Sequence, residues 1–169
     1  MYFLPAILII FFSSVGNAND CSNEFGNSDP PSNPKPVVVA IIKRGSHYLF
    51  IRRNPAKEDG GLWAPVTGKV EQGETIEMAL VREIREEVGL EVENFRSLMN
   101  HVALSQKHHL YWFQVEIPSG QEPRILTPDE ISELAWLTFQ EIEQKQSNGQ
   151  THPEVANLMR EAESFGSIQ

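Results

Sequence analysis

The segment that most constrains the fold of this chain is residues 68–90, GKVEQGETIEMALVREIREEVGL. Its first residues are punctuated by glycine and predict a turn, and apolar residues then recur with the spacing of one helix face. We expect a helix from about Thr75 to Val88. Gly89 follows it and suits the left-handed conformation in which many helices end.

The predicted helix carries three carboxylates on one face. Glu83, Glu86 and Glu87 have i, i+3 and i+4 spacing, so their side chains should emerge together. One heptad earlier, the same face holds the apolar residues Ile76, Ala79 and Leu80. We therefore expect the carboxylates to face inward rather than to lie on a solvated surface. Like charges this close are stable only beside strong positive charge, and hard divalent cations, Mg²⁺ above all, meet that need.

Residues 68–90 resemble the Nudix signature, Gly-x5-Glu-x7-Arg-Glu-U-x-Glu-Glu-x-Gly-U with U aliphatic, at every specified position. Residues 63–68, WAPVTG, resemble the strand and turn that lead into the signature in nucleotide-cleaving members. The resemblance covers residues 36–169 and implies an α/β/α sandwich of the α+β class, with a mixed sheet between helices. It also implies hydrolysis of a nucleoside diphosphate linked to another group, with Mg²⁺, or Mn²⁺ in its place, as cofactor.

The resemblance also implies roles for individual residues. The metal ligands it implies are three carboxylates and one backbone carbonyl, those of Glu83, Glu86, Glu87 and Gly68. Glu74 and Arg82 correspond to an ion pair that supports these ligands in the family.

The general base stays open between two places. Family members use either a glutamate of the signature or an acidic residue on a later loop. Glu83 is the first candidate, and Asp129 or Glu130, in the loop ahead of Trp136, is the second. An Asp that follows a proline, as Asp129 follows Pro128, is equally typical of a helix or turn N-cap.

Positive charge for a phosphate-bearing substrate is expected close to the signature. The net charge of −9 argues against a protein that coats nucleic acid or binds an anionic membrane. Six of the fourteen Lys and Arg residues fall between Lys43 and Lys69. The substrate-binding candidates among them are Arg52, Arg53 and Lys69. Because adjacent strand residues point to opposite faces, at most one of the two arginines should reach the substrate.

Several other side chains favour a structural interpretation. Four aromatic residues could stack on a nucleobase, but core packing is the more usual role for each: Trp63, Tyr111, Trp112 and Phe113. Three histidines, His101, His108 and His109, lack the partner cysteine or the His-Glu-x-x-His pattern of a zinc site. The sequence predicts no zinc.

The rest of the domain reads as strand pairs interleaved with helices. The expected strands are residues 36–42, 47–53, 62–66, 95–104, 109–117 and 134–137, and the expected later helices are residues 139–145 and 153–165. This order lacks regular βαβ alternation and favours a mixed sheet between helices.

The first 35 residues are expected to precede the folded domain. Residues 1–18, apolar and then small and polar, are typical of a signal peptide cleaved after Ala18, which would leave an exported enzyme, periplasmic or secreted. The apolar run is too short to span a bilayer, but no Lys or Arg precedes it. An uncleaved anchor and a misassigned start, which would leave a cytoplasmic protein, are the alternatives. Residues 19–35 predict a flexible linker, and the single cysteine, Cys21, excludes an internal disulfide.

The signature indicates the class of reaction, but it does not identify the group that is linked to the nucleoside diphosphate. A proline and a tyrosine at set distances after the signature mark ADP-ribose and dinucleoside polyphosphate cleavage in the family, yet Ser105 stands at the first position and Tyr111 lies beyond the second. The compact domain resembles nucleoside-triphosphate diphosphatases that clear oxidised nucleotides. A nucleoside triphosphate or related nucleotide is therefore expected, with ADP-ribose, a nucleotide sugar, a dinucleoside polyphosphate or an RNA 5′ end as alternatives. The alternative of another class is a domain that binds a nucleotide without cleaving it.

Overall fold

The structure, a computed structural model, describes residues 33–166. The predicted signal peptide, and the predicted linker up to residue 32, lie outside the described residues. Asn33 and Pro34 form no regular structure, and the first strand begins at Lys35, one residue before the predicted start of the domain.

The described residues form seven strands and three helices. The strands are β1 (Lys35–Arg44), β2 (His47–Arg53), β3 (Trp63–Ala64), β4 (Val66–Lys69), β5 (Asn94–Val102), β6 (His108–Glu116) and β7 (Ile131–Thr138). The helices are α1 (Ile76–Val88), α2 (Phe139–Ser147) and α3 (Val155–Gly166). None of these helices has the length and apolar character needed to cross a membrane.

Strand β1 lies at the centre of a mixed sheet. It pairs in parallel with β6, so that Val38 lies beside Tyr111, and it pairs antiparallel with β4, so that Val38 also lies beside Gly68. Its end forms a hairpin with β2, which pairs along its own edges with β3 and β7. Strand β5 extends the sheet beyond β6. The mixed sheet predicted from the sequence is confirmed.

Apolar side chains form one core on each face of the sheet. On one face, Ala79, Leu80, Ile84 and Val88 of α1 are almost fully buried against the strands. On the other face, residues of α2 and α3 pack on the sheet, among them Ile142, Val155, Ala156 and Met159. Helices therefore cover both faces, as expected for the α/β/α sandwich.

Helix α1 begins and ends where its local signals predict. The Thr75 side chain accepts a hydrogen bond of 3.2 Å from the Met78 backbone N–H, which satisfies one of the free donors of the first turn. The helix ends at Gly89, whose φ of 66° is a left-handed conformation that glycine adopts without steric cost. The prediction of a helix over residues 75–88 is confirmed.

Pro65 divides residues 62–66, which the sequence predicted as one strand. The chain before Pro65 pairs with β2 and the chain after it pairs with β1. Because proline has no backbone N–H to donate to a ladder, it is tolerated where the chain passes from one strand to another. As a result, β4 carries Gly68 to the middle of β1.

Most other strands and helices differ from the predicted ranges by one or two residues at an end, and β7 and α3 differ in where they begin. Strand β7 covers residues 131–138 rather than 134–137, because Ile131 and Glu133 pair with the end of β2. Helix α3 begins at Val155 rather than Pro153, since the Val155 backbone N–H bonds to the His152 carbonyl and closes a turn first. Long-range pairing and turn geometry override local propensity at both places.

Candidate active site

The side chain of Glu83 packs directly on the backbone of β4 at Gly68. A Cβ atom at Gly68 would lie 1.9 Å from Cδ of Glu83 and 2.2 Å from its Oε1. No side chain other than that of glycine fits beneath this carboxylate. The strand pairing that places Gly68 beside Val38 therefore also fixes how closely α1 can approach the sheet.

Arg82 ties the helix to β4 and to the turn between them. Its Nε and Nη2 donate to the two carboxylate oxygens of Glu74 at 2.8 and 3.0 Å, and Nη2 also donates to the Lys69 carbonyl at 2.9 Å. Its Nη1 donates to Glu83 at 2.9 Å and to Glu86 at 3.2 Å. The guanidinium lowers the pKa of Glu74 through these hydrogen bonds. One cation therefore organises three carboxylates.

We expect Arg82→Lys to destabilise the protein by about 1–3 kcal/mol, because a lysine keeps the charge but cannot reproduce the paired geometry to Glu74. Arg85→Lys is the matched control, since Arg85 bonds to Glu91 and both side chains are 58% exposed. The control should change stability by less than about 1 kcal/mol. Urea unfolding of both variants measures the difference, and equal losses would contradict a special role for Arg82.

Glu87 is a buried carboxylate with an unsatisfied oxygen. Glu87 is 7% exposed, and its Oε2 has no hydrogen-bond partner among the described residues. Burial, together with the neighbouring charges of Glu83 and Glu130, raises the pKa of Glu87 to about 8. Burial likewise raises the pKa of Glu83. A charged carboxylate that is buried without a partner destabilises the fold unless a cation binds to it.

The prediction that all three carboxylates face inward is wrong for Glu86, whose side chain is 58% exposed. Successive residues are about 100° apart around a helix, and the buried stripe includes Glu87, Ile84 and Val88. Glu86 therefore lies at the edge of this stripe, while Glu83 is half-buried within it.

The donor set suits a hard divalent cation, although it is not yet gathered around one position. No three His, Cys, Asp or Glu side chains within residues 33–166 converge as a ready-made metal site, and Arg82 Nη1 bonds to both Glu83 and Glu86. A cation would draw these two carboxylates away from Nη1, while Arg82 keeps its bonds to Glu74. The unpartnered oxygen of Glu87 and the carboxylate of Glu83, which packs on Gly68, fit such an ion.

The two adjacent arginines have different surroundings. The positive charge of Arg53 lowers the pKa of Glu87, and its Nε donates to the Glu58 carbonyl at 2.9 Å. Arg52 instead donates to Glu133 at 2.5 Å and to the Gly61 carbonyl at 3.1 Å. Of the two arginines, Arg53 is therefore the one whose charge acts on the carboxylates.

The two acidic candidates of the later loop, Asp129 and Glu130, also differ in exposure and surroundings. The Asp129 side chain is 78% exposed and its Oδ2 lies 3.9 Å from Lys57 Nζ. Glu130 is half-buried, and its loop lies against the end of α1, where the Leu126 N–H donates to the Glu87 carbonyl at 3.0 Å. The charge of Glu130 also raises the pKa of Glu87. The Lys69 side chain is exposed, whereas its carbonyl accepts from Arg82. Of the acidic pair, only Glu130 is brought to the carboxylate site.

The aromatic and histidine candidates lie mainly in the core or on the sheet. Trp63, Trp112 and Phe113 are at most 7% exposed, which leaves no ring face for a ligand. Tyr111 is half-buried and stacks on His109 with ring centroids 4.6 Å apart. His101 stacks on Trp112, and no histidine of the described chain joins a group of metal-ligating side chains.

Sequence reasoning overlooked Asn54, the residue that follows Arg53. It bonds to both Pro128 and Glu130, more than seventy residues later in the chain. The dipeptide of Asn54 and Pro55 signals a turn after a strand, but no local signal indicates the distant partners of that turn.

Comparisons with known proteins agree with this geometry. The model of the NUDIX domain matches residues 33–159. NAD-capped RNA hydrolase NudC of Mannheimia succiniciproducens is 28% identical over 127 residues, 73% of this chain and 47% of that protein, and its namesake from Pseudomonas entomophila is 30% identical over 63% of this chain and 37% of that protein. The chain thus spans less than half the length of these curated relatives.

Solved structures extend the comparison. A MutT NUDIX hydrolase from Burkholderia pseudomallei is 29% identical, with a TM-score of 0.53 over 63% of this chain and 84% of that chain. A NUDIX hydrolase from Nitrosomonas europaea, at 24% identity, supports the fold with a TM-score of 0.64 over 78% of this chain and 89% of that chain. The match of the family model over three quarters of the sequence, together with the carboxylate helix seated on Gly68, shows that this chain belongs to the Nudix hydrolase family.

Proposed function

We propose that this protein is a divalent-metal-dependent hydrolase that cleaves a diphosphate linkage in a nucleotide. The observation that carries the proposal is Glu87, a buried carboxylate with an unpartnered oxygen and a pKa raised to about 8. A carboxylate placed beside Glu83 without a cation is a poor structural element, because it lowers the stability of the fold. The same arrangement suits an enzyme that binds a metal ion together with phosphate oxygens.

The roles of the residues follow from their positions. The carboxylates of Glu83, Glu86 and Glu87, with the Gly68 carbonyl, would hold Mg²⁺ or Mn²⁺, the metals that Nudix hydrolases generally use. When bound, such an ion neutralises phosphate oxygens and lowers the pKa of water. Arg82 and Glu74 hold the helix on β4 so that the ligands keep their places.

Two further side chains have roles toward the substrate. Arg53 supplies positive charge beside the carboxylates, where a phosphate group would lie. Glu83 was the first candidate for the general base, but in this proposal it is a ligand, and a carboxylate bound to a cation is a weaker base. Glu130 acts on the same site without belonging to the ligand set, so we assign it the general base, ahead of Glu83 and of the exposed Asp129.

We propose two classes of substrate, in order of preference. The compact domain of the described residues favours a nucleoside triphosphate or a related nucleotide. The curated relatives are named NAD-capped RNA hydrolases, which favours NAD or an NAD-capped RNA as the second class. In both cases the bond broken is a diphosphate linkage, and water adds to one phosphorus atom while the other phosphate leaves.

A panel of purified nucleotides tests the proposal. The full chain is incubated with nucleoside triphosphates, oxidised guanosine triphosphate, ADP-ribose, NAD and a 5′-NAD RNA, with Mg²⁺, with Mn²⁺ or with chelator, and products are separated by chromatography. We expect a nucleoside monophosphate product from at least one class only when metal is present. Tight nucleotide binding without any product would instead support a binding domain that does not cleave.

Addition of millimolar Mg²⁺ or Mn²⁺ to metal-free protein is expected to raise the melting temperature. A ligand present at about 100 times its Kd and bound only by the native state stabilises it by about 2.7 kcal/mol. A nucleotide added with the metal should raise the temperature further. The rise should be absent in Glu87→Gln, and an equal rise in that variant would contradict the assignment of the ligands.

Export stays a prediction, since residues 1–18 lie outside the described residues. The hydrolase proposal does not depend on it, because every residue assigned to the site lies between Arg53 and Glu130.

A further inference from the structure

Asn54 joins two loops that are distant in sequence. Its backbone N–H donates to the Glu130 carbonyl at 2.7 Å, and its side-chain Nδ2 donates to the Pro128 carbonyl at 3.1 Å. Its Oδ1 accepts from the Ala56 backbone N–H at 3.0 Å, which forms a local turn. The residue thus holds its own loop and the loop that carries Glu130 with separate atoms.

The loop that contains Asn54 is a firm support. The Lys57 N–H bonds to the Asn54 carbonyl at 3.0 Å, and the Gly60 N–H bonds to the Lys57 carbonyl at 2.9 Å. Gly60 lies so close to the loop backbone that a Cβ there would be 2.5 Å from the Pro55 carbonyl oxygen. Both ends are anchored, since Arg53 and Leu62 pair through their backbones.

The loop before β7 depends on that support. The ladder between β2 and β7 changes register between Arg52 and Arg53, so that regular pairing is interrupted just after Ile131. Such irregularities re-aim side chains and are common beside active sites. On the other side of Glu130, a turn is closed by bonds from the Glu130 and Ile131 N–H groups to the Thr127 carbonyl.

We propose that Asn54 is a positioning residue that holds Glu130 at the carboxylate site by fixing the carbonyls of Pro128 and Glu130. The inference rests on the proposed function and adds to it a residue outside the Nudix signature. The two adjacent acidic residues of this turn differ in exposure, since the Asp129 side chain is exposed to solvent and Glu130 is half-buried. Rotation of this turn would exchange which carboxylate faces the site.

Asn54→Asp separates the two roles of the side chain. Aspartate keeps an oxygen that accepts from Ala56, but it presents a second oxygen to the Pro128 carbonyl where Asn54 donates. We expect kcat to fall about 10- to 100-fold through misplacement of Glu130, while KM for the nucleotide changes less than about twofold because the phosphate-binding residues stay in place. Because a smaller folded fraction would also lower the apparent kcat at an unchanged KM, kcat is expressed per folded molecule, with the folded fraction measured by circular dichroism.

Two further variants test whether Asn54→Asp lowers kcat through Glu130. Glu130→Gln removes the carboxylate, and Asn54→Asp added to it should lower kcat no further, because a residue that acts through Glu130 has nothing left to position. Lys57→Met is the matched control, since it removes an exposed 3.9 Å contact between the same two loops and should leave kcat within about twofold of the wild type. Losses that multiply in the double variant, or an equal loss in Lys57→Met, overturn the proposal.

Hydrogen exchange tests the same contact without any substrate. Asn54→Asp should accelerate exchange of the Glu130 and Ile131 amides, which bond to Thr127, and leave the amides of α1 unchanged. Unchanged exchange at both amides overturns the role of Asn54, whether or not the protein hydrolyses nucleotides. If no nucleotide is cleaved by the wild type but these amides respond, the proposed function fails and so does the link to kcat, while the contact between the loops stands.

Discussion

Glu87→Gln is expected to abolish hydrolysis while leaving the protein folded. Residues that merely support metal ligands typically account for about 10- to 100-fold in activity or affinity, so removal of a charged ligand should cost at least about 100-fold. Glutamine preserves the shape of the side chain, and the loss therefore reports on charge rather than on packing. Turnover of the variant near that of the wild type at saturating Mg²⁺ would contradict the assignment of Glu87 as a ligand.

The same variant should be more stable than the wild type when no metal is present, and increasingly so as the pH rises. The folded protein holds the Glu87 proton with a pKa of about 8, against 4.5 for an ordinary glutamate. A raised pKa means that the stabilising contribution is complete below about pH 4.5 and is lost as the pH rises through about 8. At 1.36 kcal/mol per pKa unit the difference could reach about 5 kcal/mol, as an upper limit.

Urea unfolding in chelator at about pH 5 and about pH 9 measures this contribution by linkage. The wild type should lose more stability between the two conditions than Glu87→Gln does. Glu86→Gln serves as control, because it removes the exposed member of the same carboxylate group. Identical pH dependence of the wild type and Glu87→Gln would mean that Glu87 is not held in the buried, unpaired state.

Gly68→Ala is expected to have the second large effect, since the added methyl group would overlap the side chain of Glu83 at 1.9–2.2 Å. Overpacking of this kind typically destabilises a protein by about 1–3 kcal/mol. Because Glu83 must leave its place or α1 must move off β4, we also expect hydrolysis to fall below detection. Thermal unfolding and turnover of the purified variant measure both outcomes.

A second substitution distinguishes the cause of the lost stability from the cause of the lost hydrolysis. Glu83→Ala in the Gly68→Ala background removes the overlapping atoms, so stability should return toward that of Glu83→Ala alone. Activity should stay absent, because the ligand is gone. If the double variant is no more stable than Gly68→Ala, the overlap with Glu83 is not the source of the destabilisation.

The sequence predicts best those parts of the fold that depend on short-range chemistry. Helix α1 follows from Thr75 as its cap, Gly89 as its stop and the apolar residues between them, all within one segment. The hairpin of β1 and β2 likewise follows from two runs of apolar, β-favouring residues on either side of a short polar turn. Helix α1 also carries most of the Nudix signature, which is why the family could be predicted from the same residues.

The features that could not be predicted depend on pairing between distant segments. Pro65 marks a break only because β3 and β4 have different partners, which no local pattern shows. The difference in exposure between Asp129 and Glu130 arises beside a register shift against β2, which is likewise a long-range feature. The exposure of Glu86 follows from how α1 is rotated over the sheet, since a helical stripe alone does not specify its centre.

Direct measurement of Mn²⁺ binding tests the central claim that the carboxylates of α1 form a divalent cation site. Free Mn²⁺ gives an electron paramagnetic resonance signal that disappears on binding, so titration of the metal-free full chain reports occupancy without any substrate. We predict saturable binding that Mg²⁺ displaces, and its loss or strong weakening in Glu87→Gln but not in the control Arg85→Lys, whose exposed side chain pairs with Glu91. Saturable binding of equal strength in the wild type and Glu87→Gln, or no binding by the wild type, would contradict the account.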